Sequence, residues 1–292
     1  MFSYIDPKVR QHLVERGQLL RIDQRGQVVP HDADLPDDEM SLNVLGPIPL
    51  PIDVAGQPVT FQWWAFVRHT ELTKAEEIAK VIRQRGDKRL WPLLNSHMAV
   101  NSALVYGDLK AAERPLVRIH SNCLTGDVFG SKRCECGPQL KLALERIVAD
   151  DQKAGVLVYM AGHEGRGIGL WAKAITYLLQ DDGQDTYQAN RSLGLPDDSR
   201  DFSDAAAVLL YMLGGNEPFR FMSNNPKKQR DLEAMGVTNF ESVRHVTGVN
   251  PFNRRYLSAK RGWGHDLPED IAEPKAQPKA ETKAQPKADT KD

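Results

Sequence analysis

A mixed α/β fold, with a β-rich N-terminal part packed on an α/β core, is predicted by three features of the sequence. Residues 41–69, SLNVLGPIPLPIDVAGQPVTFQWWAFVRH, alternate short β-type runs with Gly and Pro breaks, the mark of antiparallel strands. From residue 137 onward, amphipathic helical stretches alternate with short apolar runs, the pattern of an α/β core. The composition is that of a soluble globular chain, with 292 residues, 41% hydrophobic and 26% charged, which is long enough to bury a sizeable core.

Taken in order, DPKVRQHLVERGQLLRI has helical spacing at its start, and DQRGQVVPHDADLPDDEM is polar and turn-rich. Residues 1–42 are therefore expected to be an N-terminal extension. After the antiparallel segment, TELTKAEEIAKVIRQRG reads as a helix capped by Thr70 or Thr73, an insertion near residues 71–87. HMAVNSALVYGDL and PLVRIHSNC return to strand character. GPQLKLALERIVADD is an amphipathic helix, AGVLVYMA a buried strand, and IGLWAKAITYLLQDDG and DAAAVLLYMLGG are two further helices. FRFMSNN is a strand, and PKKQRDLEAMG a fourth helix of this core, closed by Gly236. Beyond Pro268, KAQPKAET recurs as KAQPKADT without a single aromatic or large aliphatic residue. Such a segment cannot bury enough apolar surface to order itself, so residues 267–292 are expected to be a disordered tail, leaving 43–266 as the main folded domain.

The 38 Lys and Arg residues balance 39 Asp and Glu, which gives no support for a broad nucleic-acid or membrane surface. MFSYIDPKVRQHLVERGQLL carries charges throughout and has no apolar core before a cleavage site, so it is not read as a signal peptide. No run of about 18 apolar residues occurs, and no transmembrane helix is expected. Three cysteines cannot pair fully, which argues against a secreted disulfide framework and for a reducing cytoplasm.

All three cysteines fall in CLTGDVFGSKRCEC, as Cys123, Cys134 and Cys136. Thiolates at C-x-C spacing converge on one soft or borderline ion, and a third can complete one face of a tetrahedron. Structural zinc sites are usually closed by four protein ligands, whereas a catalytic zinc keeps one position for water. An open zinc site is the favoured reading; the alternatives are a site closed by His120 or three buried free thiols.

GHEGRGIG, residues 162–169, lies between a strand and a helix. Its glycines permit close backbone approach to a ligand, and the helix start offers free N–H groups to an anion. It has neither the Walker Lys-Ser pair nor a G-x-G-x-x-G register. A tight strand-to-helix turn is the bland alternative. Glu164 and Arg166 suit the edge of a heterocycle or a phosphate, provided they face a pocket. In LPDDSRDFSD, Asp198 and Arg200 stand two apart in a loop before a helix. They suit proton transfer and phosphate handling, although a solvated capping turn has the same appearance. Ser223, Lys227 and Lys228 in SNNPKKQRDL make a plausible phosphate grip.

In order and spacing, VRIHSNCLTGDVFGSKRCECGPQL, EGRGIGL, YLLQDDGQDTYQAN, DDSRDFSDAA, NNPKK and NRRYLSAKRGWGH resemble the GTP cyclohydrolase II family over roughly residues 43–265. The resemblance implies a hydrolase that opens the imidazole ring of GTP, with release of formate and pyrophosphate, at the start of riboflavin synthesis. It implies one Zn²⁺ per chain on Cys123, Cys134 and Cys136, and Mg²⁺ with the nucleotide phosphates. Arg118, His120, Ser121, Asn122, Gln139, Glu164, Gly165, Arg166, Thr186, Ser223 and Lys228 match its nucleotide-binding positions. Tyr177 matches a catalytic tyrosine, Asp198 a proton acceptor, and Arg200 the proposed nucleophile in pyrophosphate release. Because a guanidinium stays protonated, phosphate binding suits Arg200 better than attack. A homodimer is also implied, and the partner is a nucleotide, with neither nucleic acid nor membrane.

Three departures bear on the substrate. Asn122 stands where the family usually has a carboxylate, His163 with one extra residue where glutamine is expected, and Ser223 where threonine is usual. No dihydroxybutanone-phosphate synthase half precedes the matched region, so the fused riboflavin enzyme is not expected. GTP is favoured because Gln139, Glu164 and Arg166 are kept. One alternative is a paralogue acting on a uridine nucleotide in uracil catabolism. Another is a zinc-bearing nucleotide sensor without turnover, against which Tyr177, Asp198 and Arg200 argue.

Overall fold

The computed structural model describes residues 6–36, 39–85 and 98–268. Of the tail expected over 267–292, residues 269–292 lie outside the described residues, as does the end of the inserted helix past Arg85, whereas Leu267 is buried against Leu257 and belongs to the folded part. The strands are β1 Leu19–Asp23, β2 Val28–Val29, β3 Ser41–Val54, β4 Gln57–Arg68, β5 Asn101–Tyr106, β6 Leu116–Ser121, β7 Gly155–Met160, β8 Phe219–Met222 and β9 Phe240–Val243. They form one nine-stranded sheet in the order β2-β1-β3-β4-β5-β7-β6-β8-β9. Pairing is antiparallel from β2 across to β7, then parallel through β7, β6, β8 and β9. The β-rich front and the α/β core therefore share one mixed sheet and meet at β7.

Both faces of its centre are covered. On β7, Val156 and Val158 join the cluster beneath helix α6 (Ser203–Leu213), while Leu157 points to the other face with Ala143 and Ile147 of helix α3 (Cys136–Ala149). That two-sided burial is why GVLVYM reads as an unbroken apolar run. In α6, nine of eleven residues are buried, as expected of a helix that is apolar all round.

Two local readings change. The segment read as an extension contributes β1, which pairs with β3 from Leu19↔Leu45 to Asp23↔Ser41. Ile22 and Leu42 are fully buried in one cluster, so the chain is continuous in packing across residue 42. Helix α2 starts at His69 and runs to Arg85, one turn earlier than the cap residues imply. Thr70 and Thr73 lie inside it, and Thr73 Oγ1 donates back to the His69 carbonyl at 2.9 Å, a bond that β-hydroxyl residues make within helices.

The parallel half positions the site. β6 ends at Ser121 and runs into Asn122 and Cys123. β7 ends at Met160, before Glu164 and Arg166, and β8 ends at Met222, before Ser223 and Lys228. Since these strands are parallel, all three loops leave the same edge of the sheet, where open α/β sheets form their ligand crevice. Helices α4 (Gly169–Asp181), α5 (Thr186–Ser192), α7 (Pro226–Ala234) and α8 (Arg254–Gly262) complete the surroundings of that edge.

Candidate active site

A cavity of about 140 Å³ opens at this edge. Of the site residues expected from the sequence, all line it except Asp198, which holds Arg200, and Lys227, which pairs with Asp231 one turn along its own helix. Seven lysines and arginines line the cavity against two carboxylates, a surplus that calls for a polyanion.

At one end the sulfur atoms of Cys123, Cys134 and Cys136 all lie within 4.8 Å of one another, with Cys123 and Cys134 at 3.7 Å. Cys123 follows β6, and Cys136 opens α3. Between them the backbone makes one wide turn at Leu124–Val128, against which a side chain at Gly126 would meet Cys134 Sγ at 2.7 Å and Cys123 Sγ at 3.2 Å. Only glycine leaves room for the sulfur cluster there. Hydrogen bonds from Cys134 and Cys136, and then the nearby Lys173 ammonium, pull the Cys123 thiol far down. Donating a hydrogen bond to Cys123 pushes Cys134 up to about 12, and Cys136, by its own bond to Cys123, is raised well above the ordinary thiol range. Three converging sulfurs that share so little negative charge suit a cation that would let all of them ionise.

The loop around the sulfurs is held by a network of hydrogen bonds. Asp127 accepts from Cys123 N at 3.0 Å and from the Tyr159 hydroxyl at 2.9 Å. Its carboxylate also takes the His120 Nε2–H at 3.1 Å. His120 is thus turned to Asp127 and does not join the sulfur cluster. Lys173 of α4 donates to Glu164 Oε1 at 2.6 Å, Thr125 Oγ1 at 3.0 Å and Cys123 Sγ at 3.1 Å. Burial opposes its charge, but the Glu164 carboxylate and Cys123 outweigh it and raise its pKa. Thr125 Oγ1 lies 3.1 Å from the Tyr177 hydroxyl, and burial raises the Tyr177 pKa, keeping the phenol protonated.

Glu164 does not face the cavity as a free carboxylate. Its Oε2 accepts from Leu124 N at 2.7 Å, and its Oε1 takes Lys173 and its neighbour Gly165 N. Gln139 is occupied as well, accepting from Arg118 Nη2 at 2.7 Å. Both line the cavity but are held by protein partners, so reading a base edge would require an exchange of those partners.

The other end carries unanswered positive charge. Gly165 and Arg166 both adopt left-handed backbone, with φ of 59° and 65°, a conformation that a non-glycine residue holds only under surrounding constraint. That turn lays the Arg166 guanidinium over the Tyr187 ring at 3.8 Å and leaves Nη1 and Nη2 buried without partners. Arg118 Nε is likewise buried and unpartnered. Lys228 is buried with its Nζ donating to the Ile119 carbonyl at 2.6 Å. Burial, and then Arg118, Arg200 and Lys260, push its pKa well below the ordinary lysine range.

Arg200 is clamped by Asp198, with Nε to Oδ1 at 2.9 Å and Nη2 to Oδ2 at 2.6 Å. Burial opposes the Arg200 charge, but Asp198 more than compensates and holds the guanidinium protonated. Arg200 Nη1 also donates to Ser121 Oγ at 3.3 Å. His163 Nε2 must donate to the Asp201 carbonyl at 2.9 Å, so Nδ1 accepts from the Ser121 hydroxyl at 3.2 Å. Burial, then Arg200 and Lys228, lower His163 to about 4. A neutral imidazole thus joins the β7 loop to the Arg200 loop. Thr186 opens α5 behind its Asp185 cap, Ser223 Oγ accepts from Asn225 N at 3.2 Å, and Asn122 Oδ1 is buried without a partner.

Residues 85–244, more than half of the chain, match the family model for GTP cyclohydrolase II. The chain belongs to the GTP cyclohydrolase II family. Among curated relatives, the riboflavin biosynthesis protein RibBA of Nocardia farcinica is 51% identical over 166 residues, 56% of this chain and 39% of that protein. RibBA of Salinispora tropica is 50% identical over 191 residues, covering 65% of this chain and 47% of the relative. The probable monofunctional riboflavin biosynthesis protein RIBA 3, chloroplastic, of Oryza sativa subsp. japonica is 47% identical over 176 residues, 59% and 32% of the two chains. The chain therefore spans less than half the length of these relatives.

Within this GTP cyclohydrolase II site, Lys173, Thr125 and Asp127 carry contacts that the sequence reading did not assign. A lysine four residues before Tyr177, in an otherwise apolar helix, was the available signal, since that spacing puts both on one face. Tyr256, Lys260 and His265 also line the cavity from the chain's C-terminal part, within a motif to which no role was attached. Among the described residues, no helix is long and apolar enough to cross a membrane.

Proposed function

We propose that this chain opens the imidazole ring of GTP and releases formate and pyrophosphate, within riboflavin biosynthesis. The observation that carries the reading is one cavity with three converging thiols at one end and a surplus of buried cations at the other. The relatives' riboflavin names support GTP as the nucleotide.

Cys123, Cys134 and Cys136 would hold one Zn²⁺, which when bound supplies a Lewis acid and makes hydroxide available at neutral pH. The Tyr177 phenol, fixed by Thr125 and kept protonated, is placed to donate its Oη proton to the ring nitrogen released on opening. Lys173 and Glu164 hold the Cys123 loop against α4. At the opposite end, Arg166, Arg200 and Lys228 bind the phosphates together with Mg²⁺, and Asp198 holds Arg200 in position. The clamp on Arg200 supports electrostatic stabilisation of the departing pyrophosphate and not covalent attack, since a doubly anchored guanidinium keeps its proton.

We read the assembly as a homodimer. Trp171 (84% exposed) and Leu178 (67%) lie seven residues apart on one face of α4, and Phe129 (69%) is exposed on the loop after Cys123. Apolar exposure of this kind marks association surfaces; a monomer by sedimentation at micromolar concentration would refute it. Three free thiols suit a reducing compartment, the cytoplasm.

The decisive test incubates zinc-loaded protein and Mg²⁺ with GTP or UMP, and follows formate, pyrophosphate and the ring-opened product by mass spectrometry. Formate and pyrophosphate from GTP are expected. Turnover of UMP alone would hand the site to a pyrimidine reaction, and binding without turnover of either would leave a nucleotide sensor.

A further inference from the structure

The cavity is completed by a segment that follows the matched residues 85–244. After Val243 the chain crosses α3 at Gly248, whose φ is 73° and where any side chain would strike Pro138 at 2.9 Å. It then forms α8 and ends its described course at Pro268. Asn253 is fully buried and donates through Nδ2 to the Gly248 carbonyl at 2.8 Å. Leu257 packs with Leu267. Trp263 stacks on Tyr187 at 4.1 Å, the same ring that carries Arg166. Asp266 N donates to the Asn224 carbonyl at 3.0 Å, which ties the segment to the loop that follows β8. These anchors fix α8 over the crevice.

From α8, Tyr256 and Lys260 sit one turn apart and both line the cavity, as do His265 and Leu267 beyond the helix. Lys260 Nζ pairs with Glu135, the residue between Cys134 and Cys136. Glu135 uses one oxygen for this pair, while its Oε2 is buried without a partner. His265 Nδ1 is also buried and unpartnered. Lys260 contributes to the repulsion that lowers Lys228, which places it on the cationic side of the cavity with Arg118 and Arg200. An ammonium has three protons to donate, and one carboxylate oxygen does not exhaust it.

Resting on the GTP reading above, we propose that residues 246–268 form the roof of the nucleotide cavity and that Lys260 is an additional phosphate-binding residue, oriented by Glu135. The roof excludes water from the phosphates and adds a cation to a grip otherwise built from the β6, β7 and β8 loops and the Arg200 loop. The segment is therefore part of the active site and not a trailing helix.

The test uses the full-length, zinc-loaded protein and two probes. One is GTP, read as KM and kcat from formate release; the other is inorganic triphosphate, read as Kd by calorimetry. Lys260→Met alone would strand Glu135, so the Lys260→Met/Glu135→Gln double variant removes the charge pair as a unit. Both KM for GTP and Kd for triphosphate should rise by roughly tenfold or more, the loss expected for a hydrogen bond to a charged group. Zinc content should stay stoichiometric, and Lys260→Arg should retain most of the affinity. Unchanged triphosphate binding in the double variant overturns the inference, as does a fall in kcat with KM intact. If the unmodified protein binds triphosphate and GTP but releases no formate, the proposed reaction falls while the role of Lys260 is still decided by the variant. If it binds neither, both fall.

Discussion

The two ends of the cavity differ in how much of their chemistry is finished before a ligand arrives. Around the sulfurs the side chains that brace the Cys123 loop have protein partners, since Asp127 takes three protons, Glu164 uses both oxygens and Lys173 has three acceptors, although Glu135 Oε2 and His120 Nδ1 are buried without one. At the cationic end, by contrast, the Arg166 guanidinium tips and Arg118 Nε are buried with nothing to bond. Buried polar groups without partners are costly, so the second end is a site whose ligand supplies the missing acceptors. The sulfur end has the converging donor set of a metal cradle with its supports in place, and the cationic end has the charge to receive a polyanion.

The largest effect is expected at the sulfurs. Cys134→Ser should abolish stoichiometric zinc and take ring opening below detection, while triphosphate binding survives. Elemental analysis and calorimetry on the same preparation check it. Loss of triphosphate affinity along with zinc would mean that the two ends are not separable.

At the next level of effect, the ends should divide the reaction between them. Tyr177→Phe is expected to slow formate release by about 10²-fold while some pyrophosphate release persists, the size of effect typical of one positioned proton donor. Arg200→Ala should instead suppress pyrophosphate release by about 10²-fold, as for loss of one preorganised charge donor. Quench-flow with both products quantified separates them. Equal loss of both products in both variants would erase the division.

Lys173 sharpens the comparison because it supports the metal end without being a ligand. Lys173→Met removes the donor to Cys123 and Thr125 and strands Glu164, so zinc affinity or turnover should fall by roughly 10- to 100-fold, as for other outer-shell partners. Competition with a chelator measures it independently of activity. Triphosphate affinity should not change, although Lys173 is itself a cavity-lining cation, because its three hydrogen bonds are already spent on the sulfur end.

What was legible in the sequence follows the same divide. The metal end was readable because C-x10-C-x-C spacing is a covalent constraint: ligand type and separation nearly fix the geometry. The βα alternation was readable because the central strands, buried on both faces, are uninterrupted apolar runs. The direction in which a side chain turns was not readable. Glu164 and Gln139 were expected at the base, and the pairs they make with Lys173 and Arg118 could be seen only in the fold. Asp198 looked like a proton acceptor, yet both its oxygens hold Arg200. The β1 strand was hidden because LLRID is five residues long between polar turns, too short for a clear period-two signal. The start of α5 carried a signal in DTYQ, since Asp185 and Gln188 form a capping box. Tyr256 and Lys260 sat at helical i, i+4 spacing inside NRRYLSAKRGWGH, but only the fold shows that α8 crosses the crevice.

The smallest expected effect lies at the junction of the two ends, where His163 stands in place of the family's usual glutamine. Its Nδ1 accepts from Ser121, which also receives Arg200, and its Nε2–H holds the Asp201 carbonyl. Only the neutral ring can do both, because a protonated Nδ1 would turn a second donor on the Ser121 hydroxyl and add charge facing Arg200 and Lys228. Its folded pKa, about 4, lies below the ordinary histidine value of 6.5. The unfolded chain therefore binds the extra proton first as pH falls. Stability owed to the neutral ring is complete above about pH 6.5 and is lost progressively as pH drops towards 4. His245 and His265, each lowered to about 3 chiefly by burial, add to the same acid limb and extend it. A glutamine at 163 can offer an acceptor and a donor without titrating, so His163→Gln should leave GTP turnover at pH 7.5 within about threefold, the scale of a conserved hydrogen-bond pair. The variant should also lose less melting temperature than the unmodified protein between pH 6.5 and 4.5, as followed by calorimetry. Parallel melting curves across that range would show that His163 does not couple the two ends through its neutral form.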